Sequence, residues 1–395
     1  MSETGISRVP TINEMSTISA QSPRVHLGRA YVAVAALLCL LVAACTDKET
    51  SSDDPAGSVG LMRREFTDES RQNWSRTGPR PLSTMVWYPA SADAKLTDIL
   101  AGQDSSYSVP LVAENGSFSS SAKTYPLLVF SHGTGGFNIA MMWLGHYLAS
   151  HGFIVAAVNH HGNTAAESEP TPQGFILFWE RATDLRLLVD RVLGDPEIGP
   201  HVDPNRIGAV GFSLGGATVL ELAGGRYSTE EFDRFCASPD HDFTCEPQRE
   251  FPEARARFDE LKKTDPVVQD SLRRAGDSYR DERVKAVLAL APAMGGGYTA
   301  SGLEGIRIPV QIAIGQGDTI CPLRTNADHM AKLISGANLL VLPGNVDHYS
   351  FLSECVPASR ANPKRYWCQD GQGVDRVRTH EQLEQLALSF FRATL

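Results

Sequence analysis

Short apolar runs divided by amphipathic stretches set the rhythm of this chain. The runs at 125–130, 153–158, 207–212, 285–291, 310–314 and 339–342 are too short for average helices and predict buried strands. A further strand is expected at 79–90, closed by Pro89. Helical patterns fall between them at 140–150, 180–193, 214–223 and 327–334. In the second of these Leu185, Leu188, Val189 and Val192 keep helical spacing. A closing helix gathers Leu383, Leu386, Ala387, Phe390 and Phe391 on one face. Fully apolar strands alternating with amphipathic helices predict an α/β fold, a mostly parallel sheet with helices on both faces.

Two stretches break the rhythm. Residues 91–123 form a Ser-rich, weakly patterned connection. Residues 225–282 are dense in charge, contain a helix-compatible run at 253–263, and read as a cap inserted over the C-terminal edge of the sheet.

The N-terminus has a different logic. Polar residues 1–23 lead to Arg24 and Arg29, then to the uncharged run 31–44, which ends Leu41-Val42-Ala43-Ala44-Cys45. A run of 14 residues falls short of the roughly 20 that span a bilayer and suits a signal-peptide core. The pattern resembles a bacterial lipoprotein signal, in which cleavage leaves Cys45 to carry the lipid; an ordinary secretory signal with Cys45 incidental is the alternative. The expected organisation is a signal peptide at 1–44, a tether at 45–60 and one catalytic domain at 61–395. The protein would then be exported and held to a bacterial membrane through a lipid anchor.

Composition changes the picture in two ways. The net charge of −10, with no basic cluster, argues against nucleic acid as a partner. Of seven cysteines, Cys39 falls within the signal and Cys45 within the anchor. Local spacing of the remainder favours the disulfides Cys236–Cys245 and Cys355–Cys368, in keeping with an oxidising compartment.

Candidate chemistry centres on Gly211-Phe212-Ser213-Leu214-Gly215, at the point where a strand turns directly into a helix. Such a turn needs bare backbone at Gly211 and Gly215, lifts the Ser213 hydroxyl clear of the sheet, and sets backbone N–H groups beside it. A serine hydroxyl needs a base, and an imidazole base needs an acid to fix its tautomer. Asp318 follows the strand at 310–314, and His348 follows the last strand, so both belong to loops at the same edge. His380, at a helix start, reads as a surface residue. His132 precedes the serine, and Asp347 would have to double back to reach the ring of His348. His160-His161 and Asp240-His241-Asp242 each lack a supporting ligand set, so no metal is expected. For a developing oxyanion, Leu214 N–H supplies one donor and Thr134 N–H, in the Gly-rich loop after the strand at 125–130, supplies the second.

The segments R-P-L-S-T-M-V-W-Y-P-A (80–90), P-L-L-V-F-S-H-G-T-G-G (126–136), N-H-H-G-N-T (159–164), V-D-P-N-R-I-G-A-V-G-F-S-L-G-G (202–216), G-Q-G-D (315–318) and D-H-Y-S-F-L (347–352) together resemble one group of α/β-hydrolases. It is the dienelactone-hydrolase-like group that includes platelet-activating-factor acetylhydrolases. The resemblance implies an α/β-hydrolase fold and a serine esterase with Ser213, Asp318 and His348 as triad, needing no cofactor. Two departures stand out. Dienelactone hydrolases use a cysteine nucleophile where this chain has Ser213. The acetylhydrolases place the acid after the preceding strand, where this chain reads Ala291-Pro292-Ala293-Met294, with no carboxylate.

The function expected is hydrolysis of small-molecule or lipid carboxylic esters through an acyl-enzyme. Phe178 and Trp179, just before a helix, are candidates to close the acyl pocket and favour short acyl groups. A thioesterase, amidase or peptidase on the same triad is the alternative within the class. A non-catalytic surface lipoprotein on a hydrolase fold is the alternative outside it.

Overall fold

The computed structural model describes residues 57–99 and 105–395. The expected signal at 1–44, Cys45 and the tether up to residue 56 lie outside the described residues. Among the described residues nine strands form one sheet: β1 (Val59–Gln72), β2 (Pro79–Pro89), β3 (Ala113–Glu114), β4 (Tyr125–Ser131), β5 (Ile154–Val158), β6 (Val202–Phe212), β7 (Val284–Leu290), β8 (Val310–Gly315) and β9 (Asn338–Leu342). Their order is β3-β1-β2-β5-β4-β6-β7-β8-β9. β2 runs antiparallel to both β1 and β5. From β5 to β9 every pairing is parallel.

The apolar runs become strands because β4, β5 and β8 are buried at every position, and the parallel part of the sheet is covered on both faces. The helix Glu180–Gly194 buries the predicted stripe of Leu185, Leu188, Val189 and Val192. The helix Leu214–Leu222 is buried at all its positions, between the sheet and the rest of the core. On the C-terminal helix, Arg376–Thr394, the seam is Leu383, Ala387, Leu388 and Phe391, with Leu386 and Phe390 packed at its margin.

The structure corrects the sequence reading at several places. The domain starts before residue 61, because Val59 and Gly60 already pair with Pro89 and Tyr88 in β1. This 14-residue strand went unpredicted. Its charges obscure the alternation: Arg64 reaches out to Asp195 at 2.8 Å while Leu61 is fully buried. His380 is buried, its Nε2 lies 3.1 Å from Ser350 O, and its ring stacks on Trp143 at 3.9 Å.

Between the helix Leu214–Leu222 and β7 lies the inserted segment. It carries the helices Thr229–Cys236, Ala254–Thr264 and Pro266–Arg273. Ser228 caps the first and Asp265 the last, each accepting a backbone N–H. Cys236–Cys245 and Cys355–Cys368 are both bonded, the first within the insertion and the second in the connection before the last helix. Cys321 is free and buried.

Candidate active site

The site is built where parallel strands end. β6 closes at Phe212, and the helix starts at Leu214, leaving Ser213 alone to make the turn with φ +56° and ψ −118°. A non-glycine residue there is strained. The strain persists because neighbours pin it: Ser213 N–H donates to Leu290 O at 2.9 Å, and Ser213 O accepts from Ala293 N–H at 3.0 Å. The flanking glycines are required sterically. A Cβ on Gly211 would lie 1.9 Å from Gly215 O, and one on Gly215 would lie 2.0 Å from Ser131 O.

Ser213 Oγ lies 2.9 Å from His348 Nε2, and His348 Nδ1 lies 2.7 Å from Asp318 Oδ2. All three residues are at least 94% buried. The other Asp318 oxygen accepts N–H groups from Ile320 at 2.9 Å and Cys321 at 2.7 Å, which fixes the carboxylate. Phe212 packs against the His348 ring at 4.8 Å. The Cys321 thiol is pushed well up by burial, with the Asp318 charge adding to the effect. Asp347 is turned elsewhere, capping the short turn His348–Phe351 by accepting from Tyr349 and Ser350 N–H. Burial raises its carboxyl above the ordinary range.

The loop after β4 passes over the serine: a Cβ on Gly133 would meet Ser213 Cβ at 3.1 Å. Among the described residues, neither Thr134 N–H nor Leu214 N–H has an acceptor in the protein. Two cavities meet at Ser213. The larger, about 500 Å³, contains Thr134, His348 and Tyr349 and is walled by Tyr107, Phe137, Tyr366 and Trp367. The smaller, about 270 Å³, contains Thr134 and Leu214 and is walled by Phe178, Trp179, Tyr227, Phe232 and Phe258. Phe243 and Gln248 of the insertion border both. Phe178 and Trp179 are at once core and cavity wall, and Trp179 Nε1 donates to Ser271 O at 3.1 Å and Ser271 Oγ at 3.0 Å.

Sequence reasoning missed the walls of the larger cavity. They come from irregular loops, with Arg249 lying over the rings of Phe243 and Tyr366, and Tyr366 OH donating to Glu250. The missed signal was the Tyr366-Trp367 pair beside Cys368. The residues considered for a metal have other partners. His160 Nδ1 lies 2.9 Å from Asp184 and its Nε2 2.9 Å from Ser131 Oγ. Asp242 bonds Thr244 and Asn326. Among the described residues no group of three such side chains converges.

A family model described as platelet-activating factor acetylhydrolase, isoform II, matches residues 91–172, which include Thr134 and stop short of Ser213. The chain is similar to Lipase 1 of Moraxella sp. (strain TA144), 33% identical over 84 residues, 21% of this chain and 23% of that one. It is 30% identical to the platelet-activating factor acetylhydrolase of Cavia porcellus over 168 residues, 32% of this chain and 37% of that one. With Cutinase est1 of Thermobifida alba it shares 31% identity over 105 residues, 26% of this chain and 32% of that one. The chain thus spans between 23% and 37% of the length of these relatives. Among solved structures, a ferulic acid esterase from Streptomyces cinnamoneus superposes with a TM-score of 0.56 at 21% identity, over 86% of this chain and 90% of that one. The fold is that of an α/β-hydrolase. In this frame the α/β-hydrolase sheet delivers Ser213, Asp318 and His348 from the ends of β6, β8 and β9.

Proposed function

We propose that this α/β-hydrolase cleaves carboxylic esters through an acyl-enzyme on Ser213. The observation that carries the reading is the continuous chain Ser213 Oγ, His348, Asp318 at 2.9 and 2.7 Å, at the meeting point of two cavities that Thr134 and Leu214, each with an unengaged N–H, help to line. The names of its relatives (lipase, acetylhydrolase, cutinase) support an ester as the bond attacked.

In this reading His348 Nε2 takes the Ser213 proton as Oγ attacks the ester carbonyl, and Asp318 holds the ring in the productive tautomer and stabilises the imidazolium. Thr134 and Leu214 N–H receive the oxyanion. His348 then gives its proton to the departing alcohol, and water, deprotonated by the same ring, releases the acid. These steps use only groups of the chain, and no cofactor is invoked. Because His348 must reach the leaving oxygen, the alcohol occupies the larger cavity that contains His348. The acyl group takes the smaller one beside Leu214, closed by Phe178 and Trp179, which favours short acyl chains. Labelling by a fluorophosphonate probe tests the core of the reading. Wild type is expected to label and to hydrolyse aryl acetates, and Ser213→Ala to do neither while keeping its fold, with a loss of about 10⁴-fold or more. A folded Ser213→Ala variant that keeps most activity would overturn it.

Export and anchoring belong to the same proposal, on the strength of the segment 31–45. Cys45→Ser is expected to abolish lipid attachment and shift the protein out of the membrane fraction or halt its processing. A variant still membrane-bound at the mature mass would refute the anchor.

A further inference from the structure

The N-H-H-G-N motif at 159–163 carries no part of the chemistry above, yet it is buried against it. β5 pairs in parallel with β4, Val158 opposite Ser131, so the loops that leave these strands lie side by side. Four hydrogen bonds join them. Asn138 N–H donates to Asn159 Oδ1 at 2.7 Å. His160 N–H donates to His132 Nε2 at 3.1 Å. Gly135 N–H donates to Asn163 Oδ1 at 2.6 Å. Ala165 N–H donates to Gly136 O at 3.0 Å.

Asn163 is the member that bonds the turn next to Thr134. It is fully buried, and its side-chain Nδ2 donates to Gly174 O at 3.2 Å, so the amide is fixed at both ends and its oxygen faces the loop. Gly135, with φ +61°, turns the chain so that its own N–H points to Asn163. Gly136 N–H bonds Gly133 O. Thr134, immediately before them, has an N–H with no acceptor in the protein and is among the residues lining both cavities at Ser213. From below, the buried Arg181 guanidinium donates to His132 O, so the loop is held on two sides.

We propose that Asn163 is a positioning residue for the oxyanion site: by accepting Gly135 N–H it fixes the turn that leaves Thr134 N–H directed at the reacting oxygen. This inference rests on the reading of Ser213 as nucleophile and Thr134 as donor. Asn163 touches no substrate; it acts only through the backbone of residues 133–136. An oxyanion donor matters more in the transition state than in the ground state, so its misplacement lowers kcat and spares KM.

The test measures kcat, KM and the affinity of a trifluoromethyl ketone, a mimic of the tetrahedral intermediate, in Asn163→Ala and Asn163→Ser. Asn163→Ala is expected to lose about 10-fold or more in kcat with KM within about 2-fold. Ketone affinity should fall in parallel with kcat/KM. Asn163→Ser, whose hydroxyl can reach Gly135 only through a water, should fall between Ala and wild type. A purely structural role, like that of a control such as Val189→Ala in the buried core, would lower the fraction of active protein and leave KM and the ketone affinity of the remaining sites unchanged, and a fall in kcat without a weaker ketone overturns the proposal. Amide hydrogen exchange in wild type gives a second measurement independent of variant folding. Gly135 N–H should be protected in the free protein, and Thr134 N–H should become protected only in the ketone adduct. Thr134 protected already without ketone, or unchanged by it, refutes the assignment. If wild type labels with fluorophosphonate and Ser213→Ala does not, such failures count against Asn163 alone and leave the nucleophile standing.

Discussion

Asp318 and His348, 30 residues apart, meet at 2.7 Å, whereas Asp347, next to His348 in sequence, points its carboxylate at the N–H groups of Tyr349 and Ser350. The two aspartates therefore have separable jobs, one orienting the ring and the other shaping the turn that presents it.

Asp318→Asn is expected to lower kcat by about 10⁴-fold, because an amide in place of the carboxylate favours the wrong tautomer of His348. Asp347→Asn keeps an oxygen for the cap and should cost less than 10-fold, with a modest loss of stability. Steady-state rates on one ester decide it, and equal losses would reassign the acid.

The tightest backbone contact at the site gives a second expectation. With a Cβ on Gly211 only 1.9 Å from Gly215 O, and rigid backbone on both sides, Gly211→Ala cannot be absorbed by a side-chain shift. A cost above about 4 kcal/mol is expected, seen as loss of soluble protein or a large fall in Tm. Gly194→Ala, which meets nothing within 4 Å at the end of the helix Glu180–Gly194, should change stability by less than about 1 kcal/mol. A Gly211→Ala protein as stable as wild type would contradict the described turn.

What the sequence reveals and what it hides follow from the same physics. Strands buried on both faces must be apolar throughout, so the buried runs of β4 to β8 can be read directly, and the turns after β6, β8 and β9 bring Ser213, Asp318 and His348 to one edge. Charge misleads in both directions. Glu180, Arg181 and Asp184 look like the solvated face of an amphipathic helix, but all three are buried, with Asp184 bound by Arg71 at 2.6 Å, Arg80 at 3.0 Å and His160 at 2.9 Å. β1 escapes notice for the opposite reason, because outward charges such as Arg63 and Glu65 interrupt its apolar positions. No periodicity marks a paired buried charge, and none marks the loops that wall the larger cavity.

Burial of His380 has a consequence for acid stability. Desolvation, reinforced by the nearby Arg376 charge, lowers its pKa to about 3. The unfolded chain holds the ring near 6.5, so on acidification the unfolded state takes up this proton first. The contribution of neutral His380 is complete above about pH 6.5 and is lost as pH falls towards 3, at about 1.4 kcal/mol per pH unit. His380→Gln keeps an N–H for Ser350 O and removes the titration. Urea unfolding at pH 4 to 7 should show wild type losing about 2 kcal/mol more than the variant between pH 6 and 4. Parallel pH profiles would mean that the ring is not buried neutral.

Substrate size is the last expectation, and it depends on the wall of the smaller cavity. Trp179 is 2% exposed, with its Nε1 tied to Ser271 on the inserted helix Pro266–Arg273, so its ring is held both by the core and by the inserted segment. If the acyl group enters this cavity, a growing chain meets Trp179 and Phe178. Discrimination of about 1–3 kcal/mol per methylene makes the decline graded at first and steep once the wall is reached. Wild type should therefore prefer acetyl to butyryl esters over longer ones. Trp179→Ala opens the wall but leaves a cavity worth about 3–5 kcal/mol of stability, so rates are compared well below its Tm, with Trp179→Leu as a milder variant. Both should move the optimum to longer acyl chains while acetyl-ester rates stay within a few-fold of wild type. Lengthening the alcohol instead should be tolerated by wild type, because that group lies in the larger cavity beside His348. A wild-type optimum at ten or more carbons, or a chain-length profile that neither Trp179 variant shifts, would remove Trp179 from the acyl site.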